Sequence, residues 1–344
     1  MVEYLCDGDL SKLPNNITHL TLVNDFDQPI NNLPNSITHL KFGKGFNQSV
    51  DNLPNSITHL TIGHCFNQPI DNLPCSITHL YFENVYFLCD LRQGFNRQVD
   101  NLPNSIIHLS FGQSFNQLVD NLPNSITHLT FEHNFNQLVD NLPNSITHLT
   151  FGHNFNQLVD NLPSSITHLT FGRDFNQPIN NLPNSITHLE FGENFNQPIN
   201  NLPFLIIHLT FGRFNIYDHS IDKIINNVKI LTFQTYDLYY KNKEKLINKN
   251  VIYYVEPTKD IYIQNNYNIG FGLDHRICYK FNGFHIKNNI NCETIKEINN
   301  VAKIQFFTHN ILLKKLTEYV FNPQRLLRVI KKYNLTLEEY MDFL

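Results

Sequence analysis

One feature limits the folds open to this chain more than any other: a Leu-Pro pair that returns at a fixed interval. Its prolines fall at positions 14, 34, 54, 74, 103, 123, 143, 163, 183 and 203. The interval is 20 residues, broken once by a step of 29 between Pro74 and Pro103. Five residues after each proline stands a histidine: His19, His39, His59, His79, His108, His128, His148, His168, His188 and His208. These mark ten copies of one unit. A unit this short cannot bury its own apolar side chains, so copies must stack and bury them against one another.

The copy around His148 shows the pattern. Its apolar columns are Val139, Leu142, Ile146, Leu149, Phe151 and Phe155, and most other positions are Asn, Gln, Ser, Thr, Asp or Gly. His148-Leu149-Thr150-Phe151-Gly152 alternates polar and apolar, which predicts a short strand with Leu149 and Phe151 inward and His148 and Thr150 outward. Pro143 cannot donate to a ladder and belongs before the strand. No segment of the unit has room for a helix of about ten residues, so the rest of each rung is expected to be extended or tightly turned. Stacked copies predict a phenylalanine column through Phe26, Phe46, Phe66, Phe95, Phe115, Phe135, Phe155, Phe175 and Phe195. The asparagine that follows it in most copies, from Asn47 to Asn196, predicts a ladder that satisfies backbone groups at a turn.

The sequence Leu-Pro-x-Ser-Ile-Thr-His-Leu-Thr-Phe-Gly, followed by Phe-Asn-Gln-Pro-Ile as at Phe175 to Ile179, resembles the FNIP repeat. That repeat occurs in social amoebae and in giant viruses that infect amoebae. Ile146-x-x-Leu149-x-Phe151-x-x-Asn154 also has the spacing of a leucine-rich repeat, and the short unit is similar to the 20-residue repeats of bacterial effectors. The resemblance covers residues 10 to 214. It implies a curved parallel β-solenoid with the histidine strand on its concave face. The family has no agreed biochemical activity, although some relatives carry an F-box or a kinase domain. No F-box pattern precedes the first copy here.

The expected fold is therefore mostly β: a leucine-rich-repeat-like parallel β-solenoid of ten 20-residue rungs over 1–214, with a smaller α+β unit after it. Residues 83–92, apolar and aromatic, read as an insertion placed directly after a strand. Residues 215–286 read as degenerate rungs and a cap, because Val228 to Phe233 still aligns with Ile206 to Phe211 and Val251 to Val255 resembles a further rung. Residues 287–344 read as helical: Asn322-Pro323 opens one helix and Thr336-Leu337-Glu338-Glu339 is a capping box for another.

Composition narrows the function. A formal net charge of −5 offers no basic excess to neutralise phosphates, so no nucleic-acid partner is expected. No apolar run approaches the ~20 residues of a membrane span and no leader is visible, so a cytoplasmic protein without membrane contact is expected. The six cysteines show no paired spacing and read as free thiols. Catalytic and phosphate-binding motifs are missing, and a position repeated ten times is unlike a single catalytic constellation, so no enzyme and no cofactor are expected.

The histidine column is the one array with chemical scale. Rungs about 4.8 Å apart would bring its imidazoles together, as a stack of mutually hydrogen-bonded neutral rings or as a metal- or pH-responsive array. His64, His133 and His153 occupy a second column and could add ligands locally. No metal site is assigned. The leading expectation is a non-enzymatic scaffold that recognises a protein partner on its concave face. Recognition would fall to residues that interrupt the repeat: Lys41, Tyr81, Glu83, Glu132, Arg173, Glu190 and Arg213. The alternative is a substrate receptor in a ubiquitin-ligase pathway, by analogy with relatives that carry an F-box.

Overall fold

The computed structural model describes residues 3–6, 10–84, 94–212, 217–221, 228 and 230–233, together with strands at 252–255, 260–263, 267–271, 277–281 and 284–287. The chain divides into two compact units, Met1–Pro257 and Thr258–Leu344. In the first, each repeat histidine opens a strand. These are β2 (His19–Leu22), β3 (His39–Lys41), β4 (His59–Ile62), β5 (His79–Phe82), β6 (His108–Ser110), β7 (His128–Thr130), β8 (His148–Thr150), β9 (His168–Thr170), β10 (His188–Phe191) and β11 (His208–Phe211). They pair in parallel and in chain order, histidine opposite histidine along the whole run. The repeat therefore builds a mostly-β parallel solenoid of about ten 20-residue turns.

Strands continue this sheet at both ends of the repeats. Before them, β1 (Glu3–Cys6) pairs with β2, placing Glu3 opposite His19. After them, β12 (Ile230–Phe233) pairs with β11 and β13 (Ile252–Val255) with β12, with His208 opposite Ile230 and Ile230 opposite Ile252. The Leu-Pro and histidine marks are gone in these strands.

Each strand buries alternate residues, as a period of two requires. Leu149 and Phe151 are buried and His148 and Thr150 half-buried. Behind the strands, Ile146, Val139, Leu142 and Phe155 are buried too, and the same columns are buried in the neighbouring rungs. The strand phenylalanine and the turn phenylalanine of one rung stack with ring centroids 3.7–4.3 Å apart. Between rungs the rings of the turn column follow one another at 6.0–6.2 Å. Burying one such side chain, aromatic or aliphatic, stabilises the fold by about 1.5–3 kcal/mol.

The polar consensus is equally structural. The amide of Ile166 donates to the carbonyl of Pro163 at 3.2 Å, closing a turn, and every copy repeats that bond. Ser165 Oγ donates to the Ile146 carbonyl of the previous rung at 2.6 Å. Asn136 Oδ1 accepts the backbone amide of Asn156 at 2.9 Å and Gln157 Nε2 at 3.1 Å. The same bonds recur up the turn column. Each side-chain oxygen thus takes an amide that a turn would otherwise leave unpaired. Glycine after the strand has a different cause. At Gly172 an added Cβ would run into the carbonyl oxygen of Gly152, because consecutive backbones nearly touch there.

The 29-residue step leaves all this unchanged. His79 pairs with His108, Phe66 stacks on Phe95 at 6.1 Å, and Asn67 Oδ1 accepts the Asn96 amide at 3.1 Å. The extra residues enter after Phe82. Glu83 and Asn84 are described, and the rest of the expected insertion lies outside the described residues. Cys6 and Cys75 are free thiols, the first buried and the second exposed. In the second unit, β14 (Asp260–Ile263) is followed by an antiparallel sheet of β15 (Tyr267–Phe271), β16 (Ile277–Phe281) and β17 (Phe284–Lys287). Beyond Lys287, the helical segment expected to residue 344 lies outside the described residues.

Candidate functional site on the outward strand face

The outward face of the sheet carries the histidines in one unbroken column. Neighbouring imidazoles from His19 to His208 have ring centroids 4.0–4.4 Å apart. The rings lie nearly parallel except for His188 and His208, which are tilted by 46°. They stack without hydrogen-bonding to one another, which corrects the expectation of mutually bonded imidazoles. Eight of the ten rings instead meet the hydroxyl of the residue before them: Thr147 Oγ1 lies 2.9 Å from His148 Nδ1. The contact recurs at His19, His39, His59, His79, His128, His168 and His188. His108 and His208 follow Ile107 and Ile207, which have no hydroxyl.

That threonine fixes the tautomer. Thr147 Oγ1 also donates to the Thr127 carbonyl of the previous rung at 3.2 Å, which uses its one proton. It can then only accept from the imidazole, so the ring proton sits on Nδ1 and Nε2 keeps its lone pair. The same two bonds are present at Thr38, Thr58, Thr78, Thr127, Thr167 and Thr187. At these seven rungs the face therefore presents an Nε2 acceptor, held from behind by threonine.

Seven rings of the row are pushed toward the neutral form. Burial, and then repulsion from neighbouring imidazoles, holds His39, His59, His79, His128, His148 and His168 below the usual histidine range. At His188 the same causes push the pKa down to about 4. Stacked rings point their lone pairs side by side rather than toward one ion, which is poor geometry for chelation. Among the described residues, no three His, Cys, Asp or Glu side chains gather into a metal-holding group.

The residues expected to carry recognition divide between two places. Lys41, Tyr81 and Glu190 lie in strands β3, β5 and β10, in the column otherwise filled mainly by threonine. Glu83, Glu132 and Arg173 follow the strands and lie on the adjoining ridge, not on the strand face itself. Arg213 lies outside the described residues. Glu83 nevertheless joins the face, because its carboxylate pairs with Lys41 Nζ at 2.6 Å. That pair reaches over β4. Tyr81 is exposed, its ring 6.1 Å from His79, and partial burial raises its phenol pKa. Arg173 pairs along the ridge with Glu193 at 3.2 Å. His133 and His153 meet on that ridge with centroids 4.7 Å apart, and His64 is buried elsewhere.

Two features escaped the sequence reading. A second ladder runs on the turn side, where Asn141 Nδ2 donates to Asp120 Oδ1 and Asn161 Nδ2 to Asp140 Oδ1, at 3.1 and 3.2 Å. Beside it Leu118, Leu138 and Leu158 are exposed on consecutive rungs. The signal was present as Gln-Leu-Val-Asp in three copies, where others have Gln-Pro-Ile. Among the described residues, no helix is long and apolar enough to cross a membrane.

Comparison with known proteins agrees with this geometry. The FNIP Repeat model matches residues 10–45, 26–65, 46–85, 95–133, 118–153, 135–174, 155–194 and 175–214. The chain is also similar to a solved crystal structure, CroV588 of a giant virus, described as a novel circular LRR protein. The two are 49% identical with a TM-score of 0.57, over 64% of this chain and 34% of that one. The match thus spans about a third of that protein's length. Among curated proteins none matches this chain.

Proposed function

This chain belongs to the FNIP repeat family, and from that premise we propose that it is a non-enzymatic scaffold which holds a protein partner on its outward strand face. The observation that carries this reading is where variation falls. The consensus residues of a rung are occupied by core packing, the turn, the ladders and the close backbone approach. Lys41, Tyr81 and Glu190 break the threonine column without disturbing β3, β5 or β10, so they can differ for a reason other than folding. Ring spacing supports a concave strand face: 4.0–4.4 Å among the histidines against 6.0–6.2 Å in the turn phenylalanines. Rungs wider behind than in front bend toward the front and gather its side chains around a partner.

The test replaces Lys41, Tyr81 and Glu190 with threonine, the repeat's own residue. Wild-type protein is used to capture a stoichiometric partner from amoebal lysate, and purified partner is then titrated against both forms. At least a tenfold loss of affinity in the triple variant supports the reading. Equal affinity places recognition elsewhere.

A second reading, a pH-responsive protein, is favoured by the stack itself. Imidazoles 4.0–4.4 Å apart cannot all take a proton without repulsion.

A further inference from the structure

We propose that the turn side of the middle rungs is a second docking surface, shaped for a basic amphipathic helix of a protein partner. The reading is independent of the strand-face site. It rests on an apolar stripe and a carboxylate file that run side by side.

The stripe is Leu118, Leu138 and Leu158, which are 57%, 52% and 51% exposed on three consecutive rungs. Their column holds Pro29, Ser49, Pro69, Gln98, Pro178 and Pro198 in the other copies, so nothing in the rung requires leucine. Three large apolar side chains in register at the surface are a patch rather than scattered exposure.

Two residues beyond each leucine, past a buried valine, stands an exposed aspartate: Asp120, Asp140 and Asp160. Each accepts at Oδ1 a hydrogen bond from the asparagine Nδ2 of the next rung, at 3.1–3.2 Å. That bond orients the carboxylate. Among the described residues, no Lys or Arg pairs with these three. Asp100, Asp120 and Asp140, with Pro123 and Pro143, line an open groove of about 720 Å³.

Spacing selects the occupant. The turn phenylalanines Phe115, Phe135 and Phe155, three residues before the leucines, climb 6.1 Å per rung. A helix laid along the solenoid presents side chains at i, i+4 and i+7 about 5.4 Å per turn apart. Its apolar stripe would seat on the three leucines, and lysines or arginines on its flank would reach the aspartates. Apolar anchors supply affinity, and the charge fixes direction and partner choice.

The probe is a synthetic helical peptide with leucine at i, i+4 and i+7 and lysines on one flank, titrated calorimetrically into the full chain. The control peptide has the same composition in scrambled order. One variant carries Leu118→Gln, Leu138→Gln and Leu158→Gln. Another carries Asp120→Asn, Asp140→Asn and Asp160→Asn. Gln98 and Asn180 occupy these columns naturally, so both variants keep the fold, which circular dichroism verifies. The leucine variant should lose affinity at least about tenfold, and the aspartate variant should lose about threefold to tenfold together with its salt dependence. Equal binding by the scrambled peptide, or an unchanged leucine variant, overturns the proposal. So does a peptide-independent dimer, lost in the leucine variant, seen by analytical ultracentrifugation, since the occupant would then be a second copy. Capture of the strand-face partner should be unaffected by either edge variant, so the two readings fail separately.

Discussion

Two aromatic columns climb the same solenoid, and they do different things. The turn phenylalanines are buried and follow one another at 6.0–6.2 Å. The histidines are half-buried and sit at 4.0–4.4 Å. The phenylalanines hold the rungs together by exclusion of water. The histidines are held by the rungs, through a strand beneath each ring and, at eight of the ten, a threonine bond behind it. Periodic stacking is therefore no measure of contribution: the same regularity arises as cause on one side of the sheet and as consequence on the other.

The contrast is open to measurement. Phe155→Ala should cost about 3–5 kcal/mol in urea unfolding, whereas His148→Ala should cost about 1 kcal/mol or less. Equal losses would erase the distinction. Gly172→Ala should come next, at about 2–3 kcal/mol, because the Cβ has no space against the Gly152 carbonyl. Gly112→Ala is its control. There the nearest atoms are 3.4 Å away, and stability should hardly change. Asn136→Ala orphans the Asn156 amide and should cost about 1–3 kcal/mol, more than any single histidine.

Acid probes the histidine side alone. A histidine whose folded pKa is depressed favours the folded state while neutral. Its contribution is whole above the ordinary 6.5 and is lost as pH falls toward the folded value, about 4 at His188. The melting temperature should therefore drop by several degrees between pH 7 and pH 4.5. Gln at positions 148, 168 and 188 should flatten that drop, and a melting temperature indifferent to pH would remove the array's claim to proton sensitivity. The smallest effect belongs to Thr147→Val. It should leave stability within about 1 kcal/mol yet release His148 from the Nδ1–H tautomer, visible in the nitrogen shifts of its ring.

The rung was legible because both of its periods are written in residue types. Leu149 and Phe151 declare the strand, and Pro143 declares where it cannot be. The asparagine ladder was legible for the same reason, since Asn recurs where a turn has amides to satisfy. The histidine environment was not, because a threonine one residue away gives no hint that its single proton goes to the previous rung. Nor was the division of Lys41, Tyr81 and Glu190 from Glu132 and Arg173. Positions two residues and four or five residues past a histidine look adjacent in sequence, but the strand ends between them and the chain turns a corner. Strand β1 was hidden because Glu-Tyr-Leu-Cys matches the consensus strand at none of the positions it pairs with. The antiparallel sheet of the second unit lies where no repeat exists to amplify a weak pattern.

The step of 29 residues after Phe82 carries a consequence for engineering. Strand pairing, ring stacking and the amide ladder all pass that point as though nothing had been added. The solenoid thus tolerates foreign sequence at one phase of its cycle, immediately past the strand. A protein built this way can acquire a new appendage at any of its rungs without renegotiating its core. That phase is the place to graft a reporter or a binding loop.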